Sequence, residues 1–421
     1  MTDNNVDFYF LKVMQYGVFL LPFAILTGPF FPDFIASLLV VLFLVIVIKN
    51  KNWKYFTNYF SIFFFIFYLY LIINSLLSDF IFQSLSSSLF YFRFGLFALV
   101  VWYVIENNKN FLKNFFIMLS ITYIFALFCG YFQYFYGANP FGIVSAYGSR
   151  LTLPLNDKMV LGSYLVRLFP LMLALALLML SKKRYIIFII AILLILTDVL
   201  IFLSGERTAL GLNLLSIILF IILLSKFKLL RIITLIFSVI FMILISSIDK
   251  DVRERNIDQT ISQMNLNNDE GNIIPFSLLH QRMYYTSWQM FIDKPIFGLG
   301  PNLFRHYCDS EKYSYGSPGS SCNTHPHNTY LQLLAETGVV GFLFVISIPL
   351  LIIFYFIRHF IFIVRYKSYI VSDYSLCLMV AIFINLWPLA PTMNFFNNWI
   401  NIIYFLPIGF YISSIFYKNE K

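Results

Sequence analysis

Charge is scarce in this chain. Asp, Glu, Lys and Arg supply 12% of its 421 residues, against 60% hydrophobic residues and 51 phenylalanines. A soluble domain carries about a quarter of its residues as charges, so a water-solvated fold of ordinary composition is excluded and many membrane crossings are implied. Cysteine is sparse too, at four residues, which excludes a disulfide-built scaffold. Two of the four, Cys308 and Cys322, lie in one polar loop, where a bridge is expected if the loop faces an oxidising compartment. The opening MTDNNVDFYFLK lacks the basic stretch and small-residue cleavage site of a signal peptide, so the first apolar run is expected to stay as a span. No phosphate-cradling glycine loop, nucleophile elbow or zinc-protease signature is present.

The formal net charge is +9, but the basic residues sit in short clusters between apolar runs. That pattern is topology signalling, and nucleic acid is not an expected partner. A membrane helix needs about 20 largely apolar residues. By that measure twelve spans are predicted, near 8–28, 31–49, 57–77, 86–105, 111–136, 159–181, 185–204, 206–225, 231–248, 328–357, 369–389 and 398–416. With the N-terminus in the cytoplasm, Lys49, Lys51, Lys54, Lys109, Lys113, Lys182, Lys183, Arg184, Lys226, Lys228, Arg231, Arg358, Arg365, Lys367, Lys418 and Lys421 all fall on the cytoplasmic side. Both termini are then cytoplasmic. The expected fold is an all-α, polytopic membrane helix bundle of about 12 transmembrane helices. It divides into spans one to nine (1–248), one large outer loop with short amphipathic helices (249–326) and the last three spans (327–421). In that loop Met283, Trp288, Met290, Phe291 and Ile296 are expected to pack on the membrane face, with Gly298, Gly300 and Pro301 marking a turn.

Polar chemistry gathers at the lip of the tenth span, in THPHNTYLQLLAETGVVG from Thr324 to Gly341. This stretch holds His325 and His327, two of five histidines, followed by Asn328, Gln332 and Glu336 at every fourth residue. On a helix those three form one polar stripe, which in hydrocarbon must face protein or a wet cavity. Ionisable residues at membrane depth are functional by default. Arg93 lies inside the fourth span, Arg167 near the middle of the sixth, Arg150 and Lys158 before the sixth, and Glu206 with Arg207 at the start of the eighth. An outward-facing arginine set suits an anionic lipid head group, because guanidinium forks pair with phosphate and never deprotonate. The bland alternative is snorkelling or ion pairing within the bundle. His327 suits a base toward a hydroxyl near neutral pH, against the alternative of a capping residue, while His280, His306 and His359 read as structural. The H-x-H spacing of His325 and His327 lacks a partnering carboxylate or cysteine at ligand spacing, and no metal or other cofactor is expected.

HPHNTYLQLLAETGVVGF resembles the signature of the O-antigen ligase superfamily, and SGERTALGL from Ser204 resembles its upstream arginine motif. DKPIFGLGPNLF from Asp293 and RLTLPLNDKMVLGSYL from Arg150 match two further segments, in the expected order. The resemblance implies a glycosyltransferase of the C class in the bacterial inner membrane, with its active site facing the periplasm. Its donor would be an undecaprenyl diphosphate-linked glycan, and its acceptor a lipid A core sugar (ligase) or a second lipid-linked glycan (polymerase). It implies His327 as the general base or acceptor-binding residue and Arg207 and Arg150 as diphosphate ligands. Arg93 and Arg282 are further diphosphate candidates, with His325, Asn328, Gln332, Glu336, Glu206 and Lys158 in support. One dominant late loop favours a ligase over a polymerase. A lipid-linked glycan flippase is the rival from another class; the lopsided layout, without two related halves, speaks against it.

Overall fold

In hydrocarbon an apolar run has to satisfy its own backbone, and helix is the local way to do so. The structure, a computed structural model, describes residues 3–145, 150–179, 184–263, 276–315 and 321–416. Those residues are helical with no strand, apart from one bridge between Ala138 and Val144. The helices are α1 (Asp3–Ile25), α2 (Phe30–Lys49), α3 (Tyr59–Leu76), α4 (Ile81–Ser88), α5 (Phe92–Asn107), α6 (Phe111–Tyr136), α7 (Leu161–Met179), α8 (Arg184–Leu203), α9 (Arg207–Leu223) and α10 (Lys228–Ile248). After them come α11 (Lys250–Arg253), a π turn over Glu254–Asp258, α12 (Gln259–Gln263), α13 (Leu278–Asp293), α14 (Phe304–Tyr307), α15 (Thr329–Tyr366), α16 (Asp373–Asn385) and α17 (Asn398–Phe416). Among the described residues nine stretches are long and apolar enough to cross a membrane; Ile187–Leu203, Arg207–Leu223 and Asp373–Asn385 are apolar but shorter. The protein is a polytopic helical membrane protein.

The centre of the bundle is α5 and α7. Every residue from Phe94 to Val104 is buried, as are nearly all from Leu161 to Ala176, and α5 packs on α17 while α7 packs on α16. By contrast α10 turns Ile232, Ile236, Ile240 and Ile243 outward, the apolar surface a lipid-facing helix presents. Its inward stripe is polar. Arg231, placed by its sequence among the charges marking the cytoplasmic end, is instead drawn inside and grips Asp198 of α8 with both terminal nitrogens, at 2.7 and 2.8 Å. Lys182, Lys183, Lys418, Lys421 and the polar run NLNNDEGN lie outside the described residues.

Three departures from the expected spans shape the site. The tenth span is a 38-residue helix broken at Gly338, so a short helix from Thr329 to Thr337 precedes the long apolar one. The eleventh is only thirteen residues, about 20 Å at ~1.5 Å per residue, short of a ~30 Å hydrocarbon core. Residues 386–397 after it are coil, and Thr392, Asn394, Phe395 and Phe396 in it are buried. Non-helical backbone at such depth is tolerated where protein covers it. Third, the loop helix α13 packs on α15 through Met283 and Met290, which bury against Leu299, Phe304, Cys308, Tyr313 and Ala335. Met283 and Met290, expected on the membrane face, are thus taken up by the loop's own core, while Trp288 and Ile296 remain exposed.

Candidate active site

The break at Gly338 joins two of the sequence motifs. Gly338 has φ 61° and ψ −168°, a conformation open essentially only to glycine, and an added Cβ would lie 2.2 Å from the Ile296 carbonyl oxygen. The backbone freed by the break bonds to the loop: Val339 N donates to Pro295 O (2.9 Å), Leu299 N to Ala335 O (3.0 Å) and Gly300 N to Glu336 O (2.8 Å). PIFGLGP is thereby laid along AETGV. The polar stripe tightens this clasp. Glu336 accepts from the N–H groups of Asn302 (3.0 Å) and Phe304 (2.9 Å), and from Gln332 Nε2 (3.0 Å). Gln332 also donates to Asn394 and accepts from Phe395 N, both at 2.9 Å, fixing the coil after α16. Asn328 caps α15 through Oδ1, accepting from Tyr330 N and Leu331 N, and its amide donates to Pro388 O. The stripe faces protein and pins two segments around the histidines.

His325 is buried, with Nε2 against Thr392 O (3.2 Å) and Nδ1 against Thr324 Oγ1 (2.9 Å). Burial, with the neighbouring His327, pushes its pKa down to about 3, so the ring is neutral with both nitrogens occupied. His327 is half-buried and adopts φ 57°, rare for a non-glycine residue. The Thr392 N–H holds its carbonyl at 2.8 Å, and the Asn323 amide lies 3.3 Å from Nε2. Asn323 is itself fixed by its place beside the bonded pair Cys308–Cys322, whose Cα atoms are 4.9 Å apart. Burial also lowers the proton affinity of His327, which keeps it a free base near neutral pH. Its ring is 4.1 Å from His325 and stands edge-on to His280 of α13 at 5.6 Å. His280, lowered by burial and next by His327, is also acted on by the charge of Arg207.

The arginines meet over the SGER turn. Glu206 turns inward and caps α7, accepting from Gly162 N (2.6 Å), Ser163 N (3.2 Å) and Ser163 Oγ (2.6 Å). That leaves Arg207 facing the other way, bonded to the side-chain oxygen of Gln263 at 2.9 Å. Gly205, at φ 68°, makes room for two further stems: an added Cβ would lie 3.2 Å from Arg150 Cγ and 3.4 Å from Arg255 Cγ. Arg150 donates to Met159 O (3.0 Å), and its Nε is buried without a partner. Arg255, from the π turn, donates to Gly205 O (3.3 Å) and Gln259 Oε1 (3.1 Å). Burial, then the charges of Arg207 and Arg150, lower the Arg255 proton affinity, although a guanidinium stays charged. Among the described residues these three mutually repelling cations have neutral bonding partners, and the carboxylate that acts on Arg150, Glu206, is committed to the α7 cap.

Four more of the expected residues have surroundings of their own. Arg93 pairs with Asp33 (Nε–Oδ1 2.9 Å), which also accepts from Asn398. Lys158 is exposed, and its backbone carbonyl braces the loop by accepting from Leu153 N and Val160 N. Arg282 is half a turn round α13 from His280, its Nε buried without a partner. Arg167, inside α7, bonds to Asn385 Oδ1 at 2.5 Å.

The family model described as O-antigen ligase matches residues 189–346, from α8 through the SGER turn and α13 to the segment past the Gly338 break. Over this stretch the chain is similar to the O-antigen ligase family. A search of curated proteins finds none that matches. The match supports an enzyme of ligase or polymerase type, acting in a membrane on lipid-linked glycans. Within the matched stretch the sequence did not single out two residues of the cluster, Arg255 and His280. Arg255 carried a usable signal: with Arg253 it puts positive charge in a loop assigned to the outside, against the topology rule. His280 carried none, because a lone histidine on an amphipathic helix is ordinarily structural.

Proposed function

We propose that the protein is an O-antigen ligase-like glycosyltransferase that moves a glycan from undecaprenyl diphosphate to a hydroxyl of a lipid A core sugar at the periplasmic face. The observation that supports this reading is His280, which stands edge-on to His327 and feels the charge of Arg207, a member of the cluster that Arg150 and Arg255 complete. Three cations whose bonding partners among the described residues are neutral suit a ligand with two linked phosphates. An acceptor hydroxyl gives its proton to His327 as its oxygen bonds to the anomeric carbon. The carbon–oxygen bond to the diphosphate breaks on the opposite face, the leaving group takes the electron pair, and the configuration inverts. The guanidinium groups stabilise the charge that builds on the departing diphosphate, held ready by the protein rather than recruited from solvent.

The test is transfer between defined donor and acceptor lipids by the purified protein. His327→Ala is expected to lower the rate by roughly 100-fold or more, and Arg207→Ala to abolish binding of undecaprenyl diphosphate, both with monodisperse protein. Native-rate transfer by His327→Ala would remove the base from the mechanism. The product separates ligase from polymerase: one glycan moved to a core sugar supports the proposal, and joined repeat units on the lipid carrier support polymerisation.

A further inference from the structure

One face of α13 stands beside the base, with His280 5.6 Å from the His327 ring and within the influence of the Arg207 charge. His280 and Tyr284 are four residues apart, so they project from the same face. Their rings lie 6.1 Å apart, and Phe276, just before the helix, backs Tyr284 edge-on at 5.1 Å. His280 Nδ1 meets Ser277 Oγ at 2.9 Å, which fixes the ring where it stands edge-on to His327. The Tyr284 hydroxyl is buried without a hydrogen-bond partner. The Asn328 amide, which donates to Pro388 O, also acts on the Tyr284 oxygen, and Oδ1 of Asn328 is committed to the α15 cap, so the proton of the Tyr284 hydroxyl is left without an acceptor. A buried hydroxyl with no acceptor is a cost that a ligand can remove. The rings of His280, Tyr284 and His327, like Arg150, Arg207 and Arg255, are only half-buried, so the ring faces are open to a ligand and the buried Tyr284 hydroxyl is reached by a small movement of the ring.

In an in-line displacement the reacting carbon lies between the attacking oxygen and the leaving group. On the reading proposed above, the attacking oxygen is at His327 and the leaving diphosphate at the arginines. What lies between is the sugar joined to the diphosphate. We propose that His280 and Tyr284 form the subsite for that sugar, the aromatic faces lying against its C–H groups and the Tyr284 hydroxyl donating to a ring substituent. This inference rests on the proposed function for the direction of the donor. It adds two residues that choose which sugar is transferred.

The experiment compares the wild-type protein with Tyr284→Phe and His280→Gln, using two diphosphate-linked donors that differ only in one substituent of the first sugar. Tyr284→Phe is expected to raise the donor KM about tenfold for the preferred donor and to reduce discrimination between the two. His280→Gln is expected to weaken both donors alike, and the acceptor KM is expected to stay constant in both variants. Binding of undecaprenyl diphosphate without a sugar should match wild type, since the arginines are untouched. Unchanged donor discrimination in Tyr284→Phe, with normal binding of the bare diphosphate lipid, would overturn the subsite and leave the proposed function standing. Failure of the wild-type protein to bind the bare lipid would overturn both. Thermal melting of each variant identifies misfolding, and in that event Tyr284→Leu, which removes the hydroxyl and the ring together, is required to lose the same discrimination.

Discussion

His325 and His327 are separated by a single proline, yet the protein uses burial on them to different ends. His325 has both nitrogens engaged by Thr324 and Thr392 and acts as a fixed strut. His327 has its carbonyl fixed by Thr392, its ring between His280 and His325, and Nε2 held only by the Asn323 side chain at 3.3 Å, an exposed contact that a substrate hydroxyl can replace. Two pH effects follow. Burial lowers the His327 pKa below the ordinary 6.5, so its base form prevails at neutral pH, and the transfer rate should be flat above pH 6.5 and fall only on the acid side of it. For His325 the unfolded ring titrates near 6.5 and the folded one at about 3. Between these values the unfolded chain binds the extra proton, so the stabilisation is complete above 6.5 and is lost as pH falls toward 3. Melting of the purified protein should therefore move to lower temperature between pH 7 and pH 4.5, more steeply for wild type than for His325→Asn. Equal slopes in the two proteins would show that His325 is not the group responsible.

At the scale of elements, the clasp between PIFGLGP and AETGV decides where the histidines sit. Its sequence signs were partly legible. The four-residue spacing of Asn328, Gln332 and Glu336 announced one polar stripe, because helical periodicity survives any environment. What the stripe would touch was not legible, since its partners come from Asn302, Phe304 and Asn394, brought together only by the tertiary fold. Nor was the end of α16 at Asn385 visible, because LWPLAP reads as apolar as a span and its prolines alone mark the change. The clasp makes a prediction with two arms. Gly338→Ala places a methyl group against backbone that cannot rotate away, and should cost on the order of several kcal/mol. Glu336→Ala strips two buried N–H groups of their acceptor, at about 1–3 kcal/mol each, whereas Glu336→Gln keeps an acceptor and should lose less. Melting temperatures of the three variants check the order, and a Glu336→Ala protein as stable as Glu336→Gln would mean that the loop is held by other contacts.

For the molecule as a whole, the bundle has two chemically different ends. One carries the histidines, the arginine cluster and the bonded cysteines. The other carries Lys49 paired with Asp7, Lys54 paired with Glu106, exposed Lys109 and Lys226, and Asp373 bonded to Ser225. Positive charge beside short loops is the mark of a cytoplasmic side; on that rule the site end is proposed to face outward, where a disulfide is chemically at home. This distribution was the most legible property of the chain, since it needs only the order of charges along the sequence and no knowledge of packing. It is checked by cysteine labelling, and the native thiols do not interfere: Cys308 and Cys322 are bonded and Cys129 and Cys377 are buried. Lys158→Cys, exposed beside the site, should react with a membrane-impermeant maleimide in spheroplasts, and Lys109→Cys, exposed at the far end, only after permeabilisation. The reverse pattern would put the arginines in the cytoplasm. A periplasmic glycan donor would then be out of reach, and the proposed function would fail even if every residue-level contact held.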